Sequence, residues 1–441
     1  MLRTIWAWIM SVVIAVLSFF GIITPQPPEP PPHVYGGFPS LHIQANGVPF
    51  VHRELWIDST FTLTCDVNGE FEFENVYGRI RGRGQSSWRR HEEKRGIRVR
   101  FDLPQHMLDS YGAHREWVLV ANHGDKTLMR NYTAYHLGQL LPGMEWSPFA
   151  RFVHLYVNDE YMGVYMLADE RNLGPGRLDI TPHANPAISE YFLEWDWRLY
   201  RDGNVEGVDY FRINTSPGGY VFCTRFSTRN RDMLYEIRVP SNTTPGHMEY
   251  ARYFIERVSR AIRSRDFERI SALIDIPSMI DFYIVQELSM NVDSGASSVF
   301  MQIRGQGENR RLHMGPIWDF DVAFGNTDWV TNQTPYGFYA EGRSYWYSNL
   351  IRTPEFRAAL EARWNELIYD AIFETLDHIQ QLAIEYEESF ERNFLRHEIM
   401  GVYVWPNPPR IVEIDTFMGQ VDDLVDWITR RTNYLNGRFN S

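Results

Sequence analysis

Only two of the 441 residues are cysteine, Cys65 and Cys223, which excludes a disulfide-built scaffold and a cysteine-ligated metal cluster. At most one bridge can form, and spacing alone leaves open whether the two pair or stay as thiols. Basic residues are also outnumbered: 43 Lys and Arg against 56 Asp and Glu give a net charge of −13, which repels a nucleic-acid backbone. No nucleic-acid partner is expected. The most basic stretch, Arg79 to Arg100, is interrupted by Glu92 and Glu93, and its arginines alternate with apolar residues as in a strand. That pattern suits a single nucleotide better than a duplex.

Long apolar runs are scarce too, with one exception. From Ile5 to Ile23 no residue is charged and Arg3 precedes the run, enough helix to cross about 30 Å of hydrocarbon. The end of the run, Leu17-Ser18-Phe19-Phe20-Gly21, offers no convincing cleavage site, so a signal anchor is favoured over a cleaved signal peptide. With Arg3 inside, the rest of the chain faces outward, membrane-anchored at the cell surface or envelope, or secreted if the signal is cleaved. Thr24 to Pro32 is proline-rich and reads as a polyproline II spacer. A globular region then begins near Tyr35.

What the chain has in quantity is core-forming material, 44% hydrophobic and 15% aromatic, enough for two subdomains. Residues from Leu41 to Phe101 alternate as strands do, for example Ile97-Arg98-Val99-Arg100-Phe101. Trp117 to Ala121 reads as a buried strand, a helix is expected directly after Asn122-His123-Gly124-Asp125 with Leu128 on its packed side, and residues 152–167 read as a hairpin turning at Asn158-Asp159-Glu160. After about Thr244 the period becomes helical: His247 to Ser264 is amphipathic, and Asp275-Ile276-Pro277 caps a helix running to Leu288. Three more helices are expected between Pro354 and Leu435, broken at Trp405 to Pro409. The fold class is α+β, a two-lobed, protein-kinase-like arrangement behind an amino-terminal transmembrane helix. Its expected parts are residues 1–23 as signal anchor, 24–34 as linker, 35–243 as a sheet-rich lobe and 244–441 as a helical lobe.

The sharpest chemical signal is order. Asp293 lies in a loop after a helix, Val299 to Met314 reads as a hairpin, and Asp319-Phe320-Asp321 follows. A kinase presents its parts in that order: the first aspartate receives the acceptor hydroxyl's proton, the second holds the magnesium that bridges the nucleotide phosphates. Carboxylates suit this task because magnesium is a hard cation that takes few protein oxygens. In an extended segment Asp319 and Asp321 share one face and one metal. Aspartates beside turns are also ordinary turn formers, and a DxD between apolar residues suits a metal-dependent glycosyltransferase equally well. The glycine-rich turn at Arg83, Gly84, Ser86 and Ser87 offers backbone amides and hydroxyls to phosphate, although a lone Gly-x-Gly more often marks a plain hairpin. Lys94, Arg98, Arg100 and Lys126 are candidates for the cation that grips the phosphates. Glu194 is a possible partner of that cation, or a surface residue.

Taken together, five blocks resemble, in order, the signature of the CotH kinase family, named for a spore-coat protein: Arg81 to Trp88, Ala121 to Asn131, Asn158 to Tyr165, Gln286 to Asp293 and Gly315 to Asp321. The resemblance implies an atypical kinase that binds ATP with magnesium or manganese and phosphorylates Ser or Thr on secreted or surface proteins. It implies that Asp293 is the catalytic-loop aspartate and Asp319 the metal ligand. The sequence departs from the family at two places. A strand of the Lys-Lys-Pro-Tyr-Arg-Ile-Lys type here reads Lys94 to Arg100, which makes an arginine a candidate for the gripping cation beside the lysines, and Ser298 stands where a kinase has the Asn of its catalytic loop. The family also includes surface adhesins, so a non-catalytic adhesion or scaffold module on the same fold is the rival reading.

Overall fold

A computed structural model describes residues 37–47, 53–65, 71–200, 204–214, 232–241 and 243–440. Two hydrophobic cores organise them. The first fills a closed barrel of seven strands: β1 (Ser40–Ala45), β2 (Ile57–Thr64), β3 (Phe73–Arg83), β4 (Gly96–His106), β5 (Ala113–Val120), β6 (Ala150–Val157) and β7 (Glu160–Asp169). β1 pairs parallel with β6, Ser40 opposite His154 through Ile43 opposite Val157, and this closure leaves no open edge. Period-two alternation decides what goes inside. Ile97, Val99 and Phe101 of β4 join Leu41, Phe61, Trp117 and Leu155 in the barrel interior, while Arg98 and Arg100 stand on its outer face. The β6–β7 turn is Asn158-Asp159, with φ of 48° and 65°. Positive φ at both centres is what a tight hairpin with right-twisted strands demands, and Asn and Asp tolerate it better than most residues.

The second core lies between a five-stranded sheet and the helices. That sheet has the order β12-β11-β8-β10-β9, built from β8 (Tyr191–Trp195), β9 (Tyr210–Asn214), β10 (Asp232–Val239), β11 (Val299–Arg304) and β12 (Arg311–Met314). The hairpin β11–β12 pairs with β8, Val299 opposite Trp195 and Ile303 opposite Tyr191. A division at residues 243/244 therefore cuts through one sheet. Sequence-local patterns find the hairpin but not its distant partner, because that pairing spans roughly a hundred residues.

Helices α1 (Ser86–Arg90), α2 (Arg130–Leu140), α3 (Pro245–Ser264), α4 (Ile276–Ser289), α5 (Pro354–Arg363), α6 (Tyr369–Glu385), α7 (Glu387–Arg396) and α8 (Phe417–Phe439) complete the frame used below. α4 starts as expected: the Asp275 carboxylate accepts from the Ser278 amide at 2.9 Å, with proline in the first turn. α2 starts later than expected. Leu128 has φ +59° and precedes the helix, because the buried Asp125 carboxylate gathers the amides of Thr127 (3.0 Å) and Arg130 (2.8 Å) into a loop first. The chain between α7 and Pro409 is non-helical, in agreement with the break at Trp405 to Pro409.

No described helix is long and apolar enough to cross a membrane. The expected anchor at 5–23, the proline spacer and Cys223 lie outside the described residues.

Candidate active site

Between the barrel's outer face and the second core lies a cleft of about 1280 Å³. It is lined from the barrel side by Arg83, Gly84, Ser86, Ser87 and Arg98, and from the other by Glu194, Asp293, Ser298, Asp319 and Asp321. These ten sequence-derived candidates share one cavity. Two others do not. Lys126 is buried and its Nζ donates to the Val402 carbonyl at 2.7 Å, and Arg100, paired with Glu116 on the barrel face, is not among the lining residues.

The acid side is built from two loops held against each other. α4 ends at Met290 in the left-handed region, and the Asp293 carbonyl then accepts from the amides of Ala296 (2.9 Å) and Ser297 (3.0 Å), so the loop coils beneath its own carboxylate. Asn291 joins the two loops: its Oδ1 accepts from the Asp293 amide at 3.1 Å and its Nδ2 donates to the Asp319 carbonyl at 3.3 Å. Ser298 Oγ donates to Asp319 Oδ2 at 3.1 Å, which keeps the residue standing in the catalytic-loop Asn position beside the metal-type acid. The Asp319 segment is not extended as the sequence pattern suggested. Asp319 has φ +70°, a kink that β-branched or bulky side chains resist and that aspartate accepts. The block from Ala121 to Asn131 supports this kink from behind. Asn131 Oδ1 accepts from the Phe320 amide at 2.7 Å, and Asn326 Nδ2 bridges the carbonyls of Gly124 (2.9 Å) and Asp321 (2.8 Å). That block thus cradles the acids from behind.

Negative charge is crowded here. Burial pushes the Asp321 carboxyl up to about 8, with Asp319 and Asp293 adding to the shift and Arg83 opposing it. Burial likewise pushes Asp293 up to about 7, against the pull of Arg198 and with Asp319 and Asp196 adding. Burial and the neighbouring carboxylates outweigh Arg83 and Arg198 at these carboxyls, a surplus of negative charge that a divalent ion would offset. Among the described residues no group of three or more His, Cys, Asp or Glu side chains is poised as a complete metal nest. A nest of that kind is not required, since magnesium keeps several waters and takes one or two carboxylates plus phosphate oxygens. The residues present fit such an ion: Asp319 and Asp321 would hold it, with Ser298 hydrogen-bonded to the first.

The opposing charge is arginine throughout. Trp318, adjacent to Asp319, carries two guanidiniums on its ring, Arg171 at 4.3 Å and Arg83 at 5.7 Å from the centroid, and Arg171 also lies 4.6 Å from the Phe300 ring. Flat, stacked guanidiniums offer rigid forks to phosphate oxygens. Burial pushes the Glu170 carboxyl up, but Arg171, Arg98 and Arg83 outweigh it and hold it near 2, so Glu170 is a fixed anion that anchors them. Arg198 pairs with Asp196 at 2.6 Å and reaches Ser297 Oγ at 2.8 Å, tying the second sheet to the Asp293 loop. Glu194 is occupied by Arg238 Nε at 2.8 Å. Sequence reading missed Arg171 and Arg198. The available signal was the charged run Asp169-Glu170-Arg171 directly after a strand of apolar residues.

The glycine-rich turn has two different glycines. A Cβ on Gly82 would fall 2.1 Å from the Trp88 ring, so this glycine exists for packing. Gly84 has φ +107° and is conformational, with its carbonyl held by Arg53 Nη1 at 2.8 Å. Lys94, the lysine in the strand-like block, is fully buried beneath the cleft wall and donates to the Val164 carbonyl (2.6 Å) and Asn393 Oδ1 (2.8 Å). Burial holds its ammonium well below the ordinary lysine range.

Above Lys94 the rings of His91, His123 and His397 follow one another at 5.3 and 5.5 Å, with His91 Nε2 at 2.8 Å from the Trp405 carbonyl and His397 Nε2 at 3.0 Å from that of Met162. Burial pulls all three down, His123 to about 2 and His397 to about 3, with Lys94 adding to both; Glu93, 3.9 Å from His123, is exposed. Above pH 6.5 folded and unfolded states are both neutral at these rings, so they contribute no pH dependence. Below it the unfolded chain takes up protons that the fold refuses, and stability falls by about 1.4 kcal/mol per pH unit per histidine. Thermal melts between pH 7 and pH 4.5 are expected to show this decline, and His123→Gln to shallow it.

The model of the CotH kinase protein family matches residues 80–435, which takes in both acidic loops and the barrel from the end of β3 onward but leaves out β1 and β2. Curated proteins yield no match. With four-fifths of its length inside that model, the chain belongs to the CotH kinase family.

Proposed function

We propose that the chain is a metal-dependent phosphotransferase that moves the terminal phosphoryl group of ATP to a Ser or Thr hydroxyl on secreted or cell-envelope proteins. The observation that carries this reading is the meeting of Asp293 with Asp319 and Asp321 in one cleft whose opposite wall is arginine. Asp293 orients the acceptor hydroxyl and receives its proton. Arg83 and Arg171 neutralise the phosphoryl oxygens as charge spreads over them. Magnesium or manganese at Asp319 and Asp321 supplies the charge that lets the polyphosphate enter an acidic site. The outward-facing location rests on the uncharged run at 5–23 and its proline spacer.

The direct test is Asp319→Asn. Asparagine keeps the tolerance for positive φ that alanine lacks, so the kink survives while the ligand charge is lost. Calorimetry with ATP and manganese is expected to show metal-dependent affinity in the parent and its loss in the variant, with melting temperature kept or raised because carboxylate crowding is relieved. Metal-dependent binding of a nucleotide sugar in place of ATP would instead assign the site to glycosyl transfer, and absence of both would leave an adhesion module.

A further inference from the structure

The phosphotransfer reading accounts for the inner end of an arginine row but not for its outer end. Alternation puts Arg79, Arg81 and Arg83 of β3 on the barrel's outer face, beside Arg98 and Arg100 of β4. The register sets Arg79 opposite Arg100 and Arg81 opposite Arg98, two like-charge cross-strand pairs of a kind that destabilises a sheet. In a chain of net charge −13 this is an expensive arrangement to keep.

Partners are supplied to one strand only. Glu116 takes both Arg98 and Arg100, and Glu170 lies 3.4 Å from Arg98. On β3, none of Arg79, Arg81 and Arg83 has a carboxylate within 4.0 Å among the described residues, although Asp58 is the cross-strand neighbour of Arg79. The Nε atoms of Arg79 and Arg81 are buried with no hydrogen-bond partner. Trp56 holds the guanidiniums in place, with Arg79, Arg81 and Arg100 at 5.5, 5.0 and 5.0 Å from its ring. These are pre-aligned forks with no carboxylate in direct contact: burial and Arg98 oppose the charge on Arg81, Glu170 and Glu116 support it from farther off, and its Nη1 donates to the Arg53 carbonyl at 3.3 Å. Arg81 and Arg83 line the cleft while Arg79 is not among its lining residues, so the row leads out of the site along the barrel. From Arg83 to Arg79 it covers roughly 13 Å at about 3.3 Å per strand residue, with a cation every second residue.

We propose that this row docks an extended acidic segment of the acceptor protein, its carboxylates at alternate positions meeting Arg79 and Arg81 while the neighbouring hydroxyl enters the cleft toward Asp293. The proposal names the substrate class for the phosphotransfer reading and rests on it. An extended peptide repeats every second side chain at the same spacing as a strand, so alternate Glu or Asp residues match the row, whereas a lysine-rich acceptor is repelled by it.

Two assays separate docking from catalysis. The first is fluorescence anisotropy, without nucleotide, of a labelled extended peptide carrying alternate Glu around one Ser, against the same peptide with Lys for Glu. The Glu peptide is expected to bind with salt-sensitive affinity and the Lys peptide not to bind. Arg79→Gln is expected to weaken Glu-peptide binding several-fold, leaving ATP and manganese affinity by calorimetry unchanged, since Arg79 does not line the cleft. Equal binding of the two peptides by the native protein, which involves no variant, would overturn the proposal. So would a matching loss of ATP affinity in Arg79→Gln, which would place the outer row in the nucleotide site, or tighter binding of a single-stranded oligonucleotide than of the Glu peptide. The second assay is phosphate transfer to the bound peptide. Binding with no transfer by the native protein upholds the docking row and removes the phosphotransfer reading.

Discussion

Asp293→Asn is expected to keep ATP and manganese affinity and to lose phosphoryl transfer by about 10²- to 10⁴-fold, the usual contribution of a positioned base. In a loose transition state the protein chiefly positions the acceptor and neutralises charge, so the group that orients the hydroxyl touches the nucleotide little. The substitution is gentle on the fold. The loop is held by backbone bonds from Ala296 and Ser297 to the Asp293 carbonyl and by Asn291 on the Asp293 amide, none of which uses the carboxylate. Paired measurements decide the matter: calorimetry for ATP with manganese, and phosphate incorporation into an exported Ser-containing protein.

The second large effect lies behind the site. Arg431 of α8 and Glu287 of α4 are both fully buried, 2.7 Å apart. The Glu287 carboxylate also accepts from the amides of Tyr339 (2.7 Å) and Glu341 (2.9 Å), and Arg431 donates to the carbonyls of Pro335 (3.2 Å) and Glu287 (2.9 Å). This pair pins the segment around 335–341 onto the helix whose end carries Asp293. Arg431→Leu leaves a carboxylate buried without its cation, a loss of about 3–5 kcal/mol, seen as a fall in melting temperature on the order of 10 °C. Combining it with Glu287→Leu is expected to recover a large part of that loss, because the cost lies in the orphaned charge. A melting temperature unchanged by Arg431→Leu would show that the pair does not hold α8 to α4.

The parts of the site that were readable from the chain are those written locally. Asp293 follows a helix and its αL stop, and Asp319 and Asp321 follow a hairpin, so order marked them as candidates while leaving turn-forming and glycosyl-transfer readings open; Arg83 and Gly84 stand in a turn after an alternating strand. The cations were harder. Lys126 and Arg100 looked as available as Arg98, and only long-range packing distinguishes them: Lys126 is drawn to Val402, 276 residues away, while Glu116 on the next strand takes Arg100. Arg171 becomes a site residue only because Trp318, far along the chain, presents its ring beside it. The fold divided in the same way. The β6–β7 hairpin and the α4 cap were local and were found, whereas the parallel β1–β6 closure and the union of β8 with β11 depend on pairings that no short window contains.

The central claim is that the acidic cleft transfers phosphate. Residues 35–441, incubated with γ-labelled ATP and manganese, are expected to incorporate label into themselves or an added Ser-containing acceptor, and Asp319→Asn to incorporate none. Equal labelling of parent and variant, or a parent that binds ATP with manganese yet labels nothing under any acceptor tried, would contradict it.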